Sequence, residues 1–182
     1  MALNNLGDIY NYCNDDLLDG ELSDINEVIN YLEEAQNIIA EVALIEAPLV
    51  TTVLDSTCKI TMPTNLLKTK EFTLISCDGV LETPLEPLRE WAGEAFFHYI
   101  YNGRTVNLYY YKKPTALNPN NLSQIPDVDA RYYFNIAQYG AEMNKLKDDD
   151  TEAQDSFRRK FSEGLQMYSK NKGTTRQFKN VW

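Results

Sequence analysis

The side chains from which hydrolytic, redox and metal chemistry is usually built are histidine, cysteine and convergent carboxylates. This 182-residue chain has one histidine, His98, and three cysteines, Cys13, Cys58 and Cys77. His98 lies in an alternating stretch, opposite Asn107 if the chain folds back at Asn102-Gly103, and reads as a structural or supporting imidazole. Cys58 and Cys77 suit adjacent strands, but three cysteines make no disulfide framework, and each reads as a buried free thiol in a reducing compartment. No Cys or His pair stands at zinc spacing. Asp148-Asp149-Asp150 invites a metal reading, yet three successive carboxylates do not converge on one ion, and a helix start explains them better. Glu33 and Glu34 are neighbours on a helix and point in different directions. There is no GxxxxGK[ST], GxGxxG or GxSxG. Nothing presents a general acid and a general base at a fixed separation. The expectation is no enzyme, no cofactor and no metal, and a chain that is more informative about assembly than about chemistry.

Charge sharpens that expectation. The formal net charge of -10 argues against general binding along a nucleic-acid backbone. Residues 1–47 hold eleven acidic residues and no Lys or Arg, whereas residues 158–182 hold seven basic residues and one acid, Glu163. The chain is polarised end to end, as if its two ends face different surroundings or meet in neighbouring copies. Twelve Tyr and seven Phe are many for this length, and tyrosine favours places with one dry end and one wet end. No signal peptide and no apolar run long enough to span a bilayer is visible, so no membrane partner is expected.

These residues must be positioned by elements whose periodicity changes along the chain. The stretch from Ala95 to Thr115 centres on Asn102-Gly103, read as a type I′ hairpin turn. That register sets Phe97, Tyr99, Val106, Leu108 and Tyr110 on a core face. Phe96, His98, Ile100, Asn107, Tyr109 and Tyr111 fall on the other, read as half covered by a helix or a neighbouring subunit. Upstream, residues 4–13 suit a short helix, 15–20 a loop, and Ser23 an N-cap. Residues 24–46 then alternate with helical period, with Ile25, Val28, Ile29, Leu32, Ala35, Ile39, Val42 and Ala43 in one row. Glu27, Glu33, Glu34 and Glu41 stand on a purely acidic polar face that no i,i+4 lysine supports, and Pro48 is read as the stop. Strands are expected at 49–54, 57–62 and 72–77. Residues 83–90 are read as a loop or a single helical turn carrying Trp91. Residues 113–126 form a proline-containing linker. Helices return at 127–147, with Val128, Tyr132, Ile136, Tyr139 and Met143 in a stripe and Gly140 offering close approach, and at 151–168, with Asp150 as cap and Phe157, Phe161, Leu165 and Tyr168 inward.

The expected fold is therefore α+β: a small helical bundle, from helices within 1–47 and 127–168, with an inserted antiparallel sheet of four or five strands at about 49–112. Residues 1–168 are read as one domain, with a basic C-terminal arm at 169–182. The arm holds four basic residues and no acid, with Phe178 and Trp182 spaced as anchors for an acidic groove.

The order of these pieces resembles the head-to-tail connector, or adaptor, proteins of tailed bacteriophages. The resemblance rests on the acidic amphipathic helix 24–46, ITMPTNL at 60–66, VNLYYYKKPTAL at 106–117, IPDVDARYYFNIAQYGAEM at 125–143 and DSFRRKFSEGLQMY at 155–168, and covers about residues 1–168. It implies a structural virion protein at the capsid–tail junction, assembled in the host cytoplasm. Its copies would form a ring, commonly of twelve, below the portal. That ring would extend the channel for double-stranded DNA, which passes without specific binding, and would offer a surface to the tail or a stopper protein. On that reading Arg176, Phe178, Lys179 and Trp182 contact the portal, and Tyr109 and Tyr111 serve subunit or tail packing. Glu27, Glu33, Glu34 and Glu41 line the channel. The alternatives are a tail-completion or stopper protein of the same neck region, and a non-viral protein-binding module.

Overall fold

A computed structural model describes the backbone at residues 2–20, 24–77 and 79–170, with side chains as far as Met167. The chain folds as two compact units. One runs to Ala43 and resumes at Pro114; the other is Leu44–Lys113, inserted between them in sequence.

The first unit is helical. Helix α1, Leu6–Asn11, starts at Asn5, whose side chain accepts from the Asp8 N–H, and continues without a break into a π-helical turn, Tyr12–Leu17. The expected loop at 15–20 is thus helical as far as Leu17. Helix α2, Ile25–Ala43, opens with Asp24 Oδ1 accepting from the Asn26 N–H at 2.8 Å; the proposed cap, Ser23, lies outside the described residues. Its row of Val28, Ile29, Leu32, Ala35 and Ile39 is buried as the period requires. Its end differs from expectation. The helix stops at Ala43 because Leu44 takes a left-handed φ of 54°, four residues before Pro48. Helix α3, Tyr133–Lys147, follows a 3-10 turn at Ala130–Tyr132. It packs against the helix of residues 6–17, against α2, and against helix α4, Thr151–Lys170. Asp150 caps α4 as expected, its Oδ1 accepting from the Ala153 N–H at 3.2 Å.

Close approach explains two glycines. A Cβ on Gly140 of α3 would come within 2.8 Å of Leu32 Cδ2 and 3.2 Å of Cys13 Sγ, so the small residue sits where three helical segments meet. A Cβ on Gly164 of α4 would overlap the Asn135 amide. Because α3 is surrounded, polar residues on it are buried as well: Asn135, Gln138 and Glu142 join Ile136, Tyr139 and Ala141. A single apolar stripe does not describe it.

The second unit is mainly β, with seven strands among its described residues in two antiparallel sheets. Strands β1 (Val50–Val53), β3 (Leu66–Ile75), β4 (Glu82–Leu85) and β7 (Thr105–Lys112) form one sheet in the order β1-β7-β3-β4. Strands β2 (Lys59–Thr61), β5 (Arg89–Trp91) and β6 (Glu94–Phe96) form the other, in the order β2-β6-β5. Their core is Leu54, Ile60, Phe72, Leu85, Ala95, Phe97, Val106, Leu108 and Tyr110.

The expected hairpin about Asn102-Gly103 does not form. Asn102 has φ -53° and ψ 132°, Gly103 has φ 75°, and the Arg104 N–H donates to Tyr101 O at 2.9 Å, the geometry of a type II turn. Residues 99–101 make a 3-10 turn before it, so Tyr99, expected in the core, is 75% exposed. His98 is exposed rather than mid-strand, and its Nδ1 accepts from the Ile100 N–H at 3.3 Å. Strand β7 pairs with β1 and β3, while β6 pairs with β2 and β5. The turn with positive φ at both central residues is Ala92-Gly93 (51° and 77°), joining β5 to β6. Trp91 therefore ends a strand, and Pro84 lies inside one. Cys13 and Cys58 are buried free thiols; Cys77, expected to be buried, is exposed.

Candidate interaction surfaces

The acidic face of α2 is partly spent inside its own unit. Glu27 Oε2 receives the Lys147 ammonium at 2.7 Å and its Oε1 the Tyr31 hydroxyl at 2.7 Å. The Lys147 and Tyr31 bonds hold the Glu27 carboxyl below its ordinary range, while burial and the bond to Glu27 push the Tyr31 phenol up to about 12. Support for this carboxylate thus comes from Lys147 of α3 and from Tyr31 one turn along α2, not from an i,i+4 lysine. Glu33 accepts the Leu117 N–H at 2.8 Å and helps hold the linker. Gln36, fully buried, completes that attachment: its Nε2 donates to Thr115 O at 3.0 Å and its Oε1 accepts from the Asp127 N–H at 3.0 Å. Glu34 and Glu41 are exposed, with Glu34 beside Tyr139, whose phenol is held above its ordinary value by burial and then by that carboxylate.

Tyr109 and Tyr111 are half-buried on β7. The tyrosine at 109 belongs to a polar cluster that spans all four strands, on the face of the sheet opposite Val106 and Leu108. Glu82 of β4 accepts from Thr73 Oγ1 at 2.7 Å, from the Tyr109 hydroxyl at 3.0 Å and from Asn107 Nδ2 at 3.1 Å, and Thr51 of β1 donates to Asn107 Oδ1 at 2.8 Å. The Thr73 bond, then that of Tyr109, holds Glu82 below its ordinary range. The hydrogen bond to Glu82 in turn pushes the Tyr109 phenol up. Thr73 and Asn107 are buried. Tyr109 is therefore fixed in orientation by a carboxylate that sequence reasoning did not single out; only the pairing of β3 with β4 brings Glu82 there.

Sequence reasoning also missed a set of exposed apolar side chains in the β unit, among them Val53, Val80, Leu81, Tyr99 and Ile100. Val80-Leu81, directly after the Asp78-Gly79 turn signal, was the legible sign: two aliphatic residues in a turn have no core to enter. The remaining site residues, Arg176, Phe178, Lys179 and Trp182, lie outside the described residues. Among the described residues no group of three or more His, Cys, Asp or Glu is placed to hold a metal ion, and no helix is long and apolar enough to cross a membrane.

A helical unit with an inserted β unit, whose notable surfaces are a charged helix face and an exposed apolar set, defines an interaction subunit. The family model for the SU10 adaptor protein matches residues 4–180, and the chain belongs to that family, the head-to-tail connector proteins of tailed phages. It is a structural, non-enzymatic protein of the capsid–tail junction, an adaptor that docks near the portal. A comparison with curated proteins gave no match.

Proposed function

We propose that twelve copies of this chain close into a ring below the portal, extend the DNA channel and offer their far side to the tail or a stopper protein. Family membership over residues 4–180 is the observation that carries this reading. A cyclic ring needs two different complementary patches on each subunit, and a chain acidic over 1–47 and basic over 158–182 supplies opposite charges for them. The face of Glu27, Glu33, Glu34 and Glu41 lines the lumen, and its negative charge comes chiefly from the exposed pair Glu34 and Glu41, since Glu27 is paired with Lys147. A negative wall repels DNA and lets it slide without sticking. Tyr109, oriented by Glu82, and Tyr111 pack against a neighbouring subunit or the tail side. Residues 1–168 act together as the ring-forming body, and the basic arm 169–182 grips the portal through Arg176, Phe178, Lys179 and Trp182.

The test is electron microscopy of the purified chain mixed with its portal. Rings of twelve stacked on the portal support the reading. A hexameric ring, or one bound only to tail proteins, makes the chain a stopper or tail-completion protein, and a portal that stays bare refutes the adaptor ring.

A further inference from the structure

The four-stranded sheet has two margins, and they are built differently. On the β4 side the Ser76 N–H donates to Leu81 O. Strand alternation then turns the backbone groups of Thr83 toward β3 and those of Glu82 and Pro84 outward. Pro84 thus stands where a free N–H would face solvent, a device that blocks further pairing. On the β1 side the Leu54 N–H donates to Arg104 O at 2.9 Å. The same alternation turns Thr52 toward β7 and leaves the N–H and C=O groups of Thr51 and Val53 facing outward. Within Val50–Val53 there is no proline, no lysine and no bulge, and Val53 is 62% exposed.

The end of the sheet at which this margin stops carries exposed apolar side chains, with Val53 on the margin itself and those of the β3–β4 turn on the far side of the sheet. Val53 pairs with Thr105 at the start of β7, and the same end of the sheet carries the β3–β4 turn, with Val80 and Leu81, and the turn before β7, with Tyr99 and Ile100. All five side chains are exposed. Their turns are held by hydrogen bonds: Gly79 N–H to Ser76 O at 2.9 Å, Leu81 N–H to Ser76 Oγ at 3.0 Å, and Tyr101 N–H to His98 O at 3.0 Å.

We propose that the β1 margin receives a strand from a second neck protein on the tail side, an extended segment that pairs with Thr51 and Val53 and places apolar side chains against Val53. Strand addition of this kind draws affinity from main-chain hydrogen bonds and specificity from alternate side chains. A second copy of this chain is the poorer donor. Like margin against like margin makes a two-fold contact, which closes as a dimer and not as a ring. Among the described residues the chain's other margins are β4, blocked by Pro84; the run of β3 before Phe72, which β4 does not cover but which carries Lys68, Lys70 and two register shifts; and β2 and β5, which at three residues each present too few outward groups. The inference rests on the adaptor reading, in which the C-terminal arm takes the portal and leaves the β unit to the other neighbour.

Thr51→Pro removes an outward donor and spares the ladder bond of Leu54 to Arg104, although it also gives up the Thr51 hydroxyl's bond to Asn107, so Val53→Lys is the cleaner variant. Val53→Lys places a charge on the same margin without touching the backbone. A phage lacking its own copy would be complemented with the wild-type chain or with either variant, each checked for folding by thermal melting. The chain bound to purified heads, the tails seen by microscopy and the infectious titre would then be measured. The expected result is wild-type loading on heads with a fall of about tenfold or more in tailed particles and titre for both variants. Wild-type tails and titre from folded variants overturn the proposal, as does loss of the variants from heads, which would place the margin on the portal side. If Thr51→Pro does not fold, Val53→Lys decides alone. Failure of the wild-type chain itself to load on heads overturns the adaptor reading, and this inference with it.

Discussion

Arg158 of α4 lays its Nε 2.8 Å from Oε1 of Glu142, a carboxylate of α3 that is only 1% exposed. Among the described residues the other oxygen, Oε2, has no hydrogen-bond partner, and neither has Oε1 of Gln138 one turn earlier. Burial holds the Glu142 carboxyl above its ordinary range, opposed by Arg158. This guanidinium is therefore what makes a buried charge between α3 and α4 tolerable.

Removing it exposes the cost. Arg158→Ala should lower stability by about 2–3 kcal/mol at neutral pH, toward the low end for a broken buried pair because the guanidinium is partly solvated. Since the folded carboxyl titrates above the unfolded one, its contribution favours the fold below the unfolded value of about 4.5 and is lost as pH rises through the folded value. Denaturant melts at several pH values should show the variant's deficit shrinking in acid, and Glu142→Gln flattening that dependence.

The two close-approach glycines should respond unequally to alanine. At Gly164 the added methyl meets the buried Asn135 amide, which is itself enclosed, and the loss should be about 3 kcal/mol, as for overpacking of a filled site. At Gly140 the nearest atom is the far end of the Leu32 side chain, and alanine's better helix propensity offsets part of the strain. Thermal melts should place Gly140→Ala well above Gly164→Ala.

Glu82 titrates in the opposite sense to Glu142. Its carboxyl is held low by its hydrogen-bond donors, so its contribution to the sheet is present above about 4.5 and is lost as pH falls through the lower folded value. Amide protection factors in β3 and β7, corrected for the intrinsic slowing of exchange in acid, should fall on acidification in that window, and Glu82→Gln should show the same loosening at neutral pH with little further change in acid.

Thiol reactivity should separate the three cysteines. Cys77 is exposed, whereas Cys13 is buried and its thiol pushed up to about 12 by desolvation, and Cys58 is buried near the start of β2. A thiol-specific chromophore should count one fast equivalent in the native protein, lost in Cys77→Ser, and the remaining two only on unfolding.

How much of this was legible in the sequence depends on whether a local signal met a local answer. The row from Val28 to Ile39 repeats with helical period and is buried as read, and Gly140 between two alanines foretold a close approach. Asn102-Gly103 failed because the dipeptide suits several turns. A preceding 3-10 turn carries the chain away from β7, and type II needs positive φ only at Gly103. The true I′ turn sits at Ala92-Gly93, where an alanine hides the signal. The expected antiparallel sheet is there, with four strands; the second sheet, of three, was not foreseen, since Glu82–Leu85 and Arg89–Trp91 pair despite two nearby prolines, one of them facing outward where it costs no ladder bond. The surfaces were harder to foresee. Glu27 and Glu33 looked like free acids because their partners, Lys147 and the Leu117 N–H, lie far along the chain.

The most direct test of the adaptor ring is a reconstruction of the intact virion neck. It should show this chain as a closed ring of twelve between portal and tail, with the C-terminal arms on the portal and the β1 margin paired to a strand of the protein below. A neck in which portal and tail meet with no density for this chain would contradict the account.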